Sequence, residues 1–163
     1  MPRSQRPLPR EWLITDERLG DLRGTIRRLR PGTGVLVRQH ELARPERQRL
    51  LRYLRQRAGQ RRLTVVAEAD GRTARVHDAR ELRGALLRQA RLIFLSPMHA
   101  TRTHPGWSPL PRMKAAALLR LSPVPLLALG GMNHRRFLAV RPLGFAGWAA
   151  IDAWLKPVAR KAR

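Results

Sequence analysis

The chain has 163 residues and is 43% hydrophobic, enough for one domain with a sizeable core and too apolar for global disorder. It has no cysteine, which excludes disulfides, thiolate catalysis and thiolate-bound zinc. The formal net charge of +23 arises from 31 arginines and 3 lysines against 11 acidic residues. These arginines are spread from Arg3 to Arg163 and aromatic residues make up only 5%, so the charge reads as solvated helix faces. Nucleic-acid or other polyanion binding is the lesser alternative.

No apolar segment approaches the ~18–20 residues that cross a bilayer, so no membrane association is expected. "MPRSQRPLPREW" has no apolar run and reads as a short flexible arm, residues 1–11, rather than a secretory signal. A single domain is expected over 12–156, followed by a basic tail, 157–163, with a cytoplasmic location.

In chain order, "WLITD" (Trp12–Asp16) predicts a short strand, and Glu17–Arg30 a helix with Leu19, Leu22, Ile26 and Leu29 on one face. Val35–His40 predicts a second strand. Pro45–Arg62 predicts a helix that opens on proline and carries Leu50, Leu51, Leu54 and Ala58 as its apolar stripe. Leu63–Ala69 predicts a third strand, "DGRT" a turn and Ala74–His77 a weak fourth strand. Asp78–Ala90 predicts a helix with Asp78 as N-cap and Glu81 three positions on, a variant capping box. The remaining elements are a strand over Leu92–Ser96, a proline-containing loop, a helix over Met113–Leu121 and a strand over Val124–Gly131. A short helix capped by Asn133, a strand over Gly144–Ile151 and a last helix from Asp152 complete the series.

Seven strands alternating with helices imply a mostly parallel sheet with helices on its faces. The alternatives are a doubly wound sheet and a (β/α) barrel. No glycine-rich dinucleotide fingerprint follows an early strand. "ALGG" and "GFAG" instead suit the phosphate corner that barrels build after their last two strands.

On this map His40, His77, His99, His104 and His134 all fall at or beyond the carboxyl ends of strands. Arg38, Gln39, Glu68, Ser96, Thr101, Thr103 and Asn133 fall on the same side, where parallel α/β folds bind ligands. A ligand site is therefore expected there, with polar loops and locally satisfied histidines as the alternative. A histidine-bound metal is disfavoured, because there is no His-x-His pair and carboxylates are few. In "LGGMN" (Leu129–Asn133), Gly130 and Gly131 let backbone N–H groups approach an anion, and the helix start adds its dipole. Gly144 and Gly147 would complete that corner, and Arg38 suits an anionic substrate.

The stretch "HDARELRGALLRQARLIFLSPMHATRTHPGWSPL" resembles the signature of the thiamine phosphate synthases and their TenI-type relatives. In that family a histidine ends one strand, and the next runs into a Pro-Thr-x-(Thr/Ser)-(Lys/His)-Pro-Gly loop. Thr101, Thr103, His104, Pro105 and Gly106 match it, with Ala100 in place of the proline. "WLITD", "VLVRQHEL", "VPLLALGGMN" and "GFAGWAAI" resemble further family segments, so the likeness spans roughly Trp12 to Trp154.

The resemblance implies a TIM barrel and an enzyme of thiamine biosynthesis. One branch is a transferase that joins an aminopyrimidine methyl pyrophosphate to a thiazole phosphate, releasing pyrophosphate with Mg²⁺. The other is an isomerase, a tautomerase that moves a proton on a thiazole carboxylate phosphate. By resemblance His77 and His104 are catalytic. Arg38, His40, Thr101, Thr103, Gly130, Gly131 and Gly147 would bind substrate and phosphate.

The chain departs from the synthase pattern in ways that matter. "VVAEAD" replaces the strand-ending Asn-Asp pair, leaving Glu68 as a weak metal candidate. The segment carrying the Mg²⁺-binding aspartate is absent together with a strand and a helix, and Glu68 reaches His77 in nine positions. Two lysines are replaced by His40 and His104. The expectation is therefore a TIM barrel shortened by about one strand–helix unit after the third strand, with an impaired Mg²⁺ site and no organic cofactor. The synthase reaction is the default. Tautomerase-type proton transfer and non-catalytic binding are the alternatives. The gap would expose a strand edge for the N-terminal arm or a second subunit to cover.

Overall fold

The computed structural model describes residues 7–38, 42–100 and 106–155. The strands are β1 (Glu11–Ile14), β2 (Gly34–Val37), β3 (Thr64–Ala67), β4 (Thr73–Val76), β5 (Leu92–Leu95), β6 (Leu126–Ala128) and β7 (Gly147–Ala150). The helices are α1 (Leu22–Arg28), α2 (Arg44–Arg61), α3 (Ala79–Leu87), α4 (Arg112–Leu121) and α5 (His134–Val140).

Every ladder is parallel, and the strand order is β3-β2-β1-β7-β6-β5-β4. This is the cyclic order of a barrel, opened once. The first strand pairs with the last, Trp12 standing opposite Ala149. A doubly wound sheet would instead reverse its order about an early strand. The seven strands form an open, shortened, TIM-barrel-like half-barrel, and its seam lies between β3 and β4. The sequence lacks a strand–helix unit at that point. The link between these strands is a single 3-10 turn, Glu68–Asp70, ended by Gly71 at φ +69°. It is too short for the crossover that parallel neighbours need.

Local chemistry accounts for most element ends. The helix expected over Glu17–Arg30 is divided into a 3-10 turn, Glu17–Leu19, and α1. Gly20 takes φ +56°, and Asp21 accepts a bond from the Gly24 N–H at 2.8 Å, which starts a new helix. α3 begins as its pattern predicts. Asp78 accepts from the Glu81 N–H at 2.8 Å, and the Glu81 carboxylate accepts from the His77 N–H at 2.7 Å. β7 starts later than expected because a 3-10 turn, Arg141–Leu143, ends in Gly144 at φ +108°. The helix expected from Asp152 is a 3-10 turn, Asp152–Trp154, and positions 156–163 lie outside the described residues.

Residues 8–10, assigned above to an arm, run against the barrel. Leu8 packs on the core, the Pro9 carbonyl accepts from Trp12 Nε1 at 2.8 Å, and the Arg10 carbonyl accepts from the Trp148 N–H at 2.8 Å.

Register decides which side chains share a face, because side chains alternate along a strand. Arg75, Phe94 and Leu127 stand level on β4, β5 and β6, in one inner row. Ala74 and Val76 point to the outer layer, where Val76 packs with Leu82 and Ala85 of α3. The inner floor is Trp12, 1% exposed, set edge-on to Phe94 with ring centroids 6.4 Å apart. Gly34 stands opposite Trp12, and a Cβ there would overlap the indole ring. Overpacking of this kind costs about 1–3 kcal/mol. Gly34→Ala is expected to lower Tm by about 2–12 °C for a chain of this size. An unchanged melting curve would show that Trp12 can move aside.

Candidate active site

At the carboxyl ends of the strands lies a cavity of about 300 Å³. Inner-row side chains at or just beyond the strand ends build its wall: Ile14 ending β1, Arg38 after β2, His77 after β4, Ser96 after β5 and Ile151 after β7. Arg75 joins from within β4. Pro97, Leu129 to Asn133, Arg136, Trp107 and Asp152 complete the rim.

His77 is held by three neighbours. Its backbone N–H is committed to Glu81. Its Nδ1 lies 2.6 Å from the Ser96 carbonyl and 3.3 Å from Ser96 Oγ. Trp107 packs edge-on against the ring, centroids 4.8 Å apart. A carbonyl oxygen only accepts, so Nδ1 carries the proton and donates to it. In the neutral imidazole, Nε2 then carries the lone pair, which is the arrangement of a positioned base.

The glycine corner stands next to this histidine. Gly130 and Gly131 take φ +91° and +59°, which a side chain rarely tolerates. A Cβ on Gly130 would stand 2.8 Å from Pro97 Cα, so this glycine packs directly against the residue after Ser96. Asn133 caps α5, its Oδ1 accepting from the Arg136 N–H at 2.9 Å. The Arg136 guanidinium donates to the Gly131 carbonyl, which holds a cation at the rim.

Arg38 is fixed from below. Its N–H donates to Thr15 Oγ1 at 2.9 Å, and Thr15 is fully buried at the end of β1. The side chain lies 3.8 Å from Glu68. Glu68, the metal candidate, therefore lies beside a guanidinium. Asp152, the acid on the cavity rim, lies 3.4 Å from Arg18. Among the described residues no group of three or more histidine and carboxylate side chains could hold a metal ion.

Gly147 does not join the others. It opens β7 with the Arg10 carbonyl against it, too close for any Cβ, and it does not line the cavity. Nor does His134 face the cavity, as its Nδ1 lies 3.3 Å from a Glu11 carboxylate oxygen. The reason is stagger: Glu11 of β1 pairs with Trp148 of β7, and Trp148 pairs with Ala128, the last residue of β6. The start of β1 is thus level with the end of β6, and α5 begins outside it.

His99 is half-buried beside the glycine corner, and its Nε2 has no hydrogen-bond partner among the described residues. Burial first, then the charges of Arg136 and Arg112, push its pKa down. His40, Thr101, Thr103 and His104 lie outside the described residues. Arg75 went unnoticed in the sequence. Its signal was a charge at an alternating position of a strand whose neighbours place Phe94 and Leu127 in that row.

The geometry can be compared with known proteins. No family model matches the chain, and no curated protein matches it. Among solved structures it is similar to a thiamine phosphate pyrophosphorylase from Pyrococcus furiosus, with TM-score 0.77 and 17% identity over 90% of this chain and 87% of that one. It is also similar to a native KDPGal structure, with TM-score 0.57 and 12% identity over 91% and 84%. At these identities the likenesses establish the fold: this chain has a TIM-barrel-like architecture with one unit missing.

Proposed function

We propose that the cavity binds a phosphorylated thiazole of the kind handled in thiamine biosynthesis, and that His77 moves a proton on it. The observation that carries this reading is one contact path. His77 donates through Nδ1 to Ser96, and the next residue, Pro97, packs on Gly130 of the phosphate corner. A ligand phosphate at Gly130, Gly131 and Asn133 would be met by backbone N–H groups and by Arg136. The heterocycle would extend toward His77. Nε2 would take a proton from the ring system and return it at another atom. The Ser96 carbonyl would stabilise the transient imidazolium through the Nδ1–H bond.

A second reading is the joining of a pyrimidine diphosphate to the thiazole phosphate with release of pyrophosphate. The similar Pyrococcus protein is called a thiamine phosphate pyrophosphorylase and aligns over 90% of this chain. The Nδ1–H of His77, fixed on the Ser96 carbonyl, favours proton transfer over this reaction.

Thiazole phosphates are expected to raise Tm in a thermal-shift titration, because a ligand bound only to the folded state stabilises it. No shift with any thiazole phosphate, with or without Mg²⁺, would reject the ligand class.

His77→Gln should slow isomerisation and solvent-proton exchange by about 10²- to 10⁴-fold with little change in KM, the range expected for one general acid–base group. NMR in D₂O reads this exchange. Unaltered exchange in the variant would remove His77 from the chemistry, and formation of the joined product with pyrophosphate release would favour the second reading.

A further inference from the structure

The seam and the cavity meet at Arg75. In a closed barrel another strand would run beside this inner position of β4. Here β4 is a free edge, and Arg75 is exposed there while still lining the cavity. Arg38 enters the same cavity from the end of β2, on the other side of the seam. The two arginines differ in their surroundings. Arg38 has Glu68 at 3.8 Å, whereas Arg75 forms no hydrogen bond or salt bridge among the described residues.

Among the described residues three arginines thus line the cavity, against one acid, Asp152, which lies near Arg18. Gathering like charges around a concave, partly dry space is unfavourable until an anion arrives, and it concentrates anions there. The state of Arg75 agrees with this. Burial first, then the nearby Arg38 charge, pull its pKa below the usual arginine value, with Glu68 and Glu81 opposing.

We propose that Arg38 and Arg75 form a metal-independent oxyanion subsite at the seam. It would hold the second anionic group of a ligand whose first phosphate sits at Gly130 and Gly131. The group is a diphosphate or a carboxylate; both present a pair of oxygens that a guanidinium fork can grip. Arg75 thereby supplies a second fixed cation beside Arg38. This rests on the reading that the cavity holds a phosphorylated ligand, and goes beyond it by assigning Arg75 and a binding mode.

The test is isothermal titration with inorganic pyrophosphate and, separately, with a thiazole carboxylate, each in EDTA and in Mg²⁺. The proteins are wild type, Arg75→Gln, Arg75→Lys, Arg38→Gln and Arg49→Gln. Arg49 is exposed on α2, so its removal costs the same charge away from the cavity.

At least one of the two probes should bind wild type in EDTA, and Mg²⁺ should not tighten it. Arg75→Gln and Arg38→Gln should each weaken that probe by about 10- to 100-fold, as expected for losing charge-assisted hydrogen bonds. Arg75→Lys should lie between, and Arg49→Gln should match wild type. Which probe responds identifies the group, diphosphate or carboxylate. Equal binding by wild type and both Arg75 variants overturns the proposal, as does binding that requires Mg²⁺ or falls equally in Arg49→Gln. A thiazole monophosphate whose affinity is unchanged in Arg75→Gln supports the phosphate reading separately. If it fails to bind while pyrophosphate binding depends on Arg75, the thiazole reading falls and the subsite stands.

Discussion

The parallel ladder between β1 and β7 joins the two ends of the described chain, and the curvature of the sheet depends on it. Trp12 opposite Ala149 brings the first strand against the last. That pairing turns a row of seven strands into an arc with an inside. The inside needs a filling, and Trp12 supplies it: its ring sits over Gly34, meets Phe94 edge-on, and donates its indole N–H to Pro9. With the floor filled, only the carboxyl ends of the strands are left to form a cavity. The site is therefore the open end of a packed barrel rather than a cleft cut into it.

The missing unit changes the electrostatics of that open end. A closed barrel surrounds its ligand with strand ends on every side. Here the arc stops at β3 and β4, and the inner row ends in Arg75 at the free edge. Arg38, Arg75 and Arg136 then surround a cavity with one carboxylate on its rim among the described residues. The +23 charge of the chain is mostly spread over helix faces, but in this cavity it is focused. Such a field favours anions.

Helix caps give the site its order. Asp78 and Glu81 close the start of α3 and in doing so fix the backbone of His77. Asn133 caps α5 and so fixes the residues after Gly131. Thr15 does the same for Arg38 from the neighbouring strand. His77, the residues after Gly131 and Arg38 thus borrow rigidity from element termini, the usual way a barrel positions reactive groups on its loops.

Much of this was legible in the residues. Alternation of apolar runs with amphipathic segments announced seven strands and a parallel sheet, and Asp78, Glu81 and Asn133 announced their caps, because those signals are local in the chain. The short link from Glu68 to His77 marked where a unit was missing. The division of the helix after Glu17 was harder to read, since one glycine with positive φ and one aspartate cap outweighed an apolar stripe. What only the tertiary structure decided depends on register and stagger. The offset between β1 and β6 turned His134 outward to Glu11, the backbone of Arg10 closed over Gly147, and the free edge at the seam drew Arg75 into the cavity. Local pattern sets which residues alternate along a strand. How far strands slide past one another, and where the ring is left open, depends on contacts between distant parts of the chain.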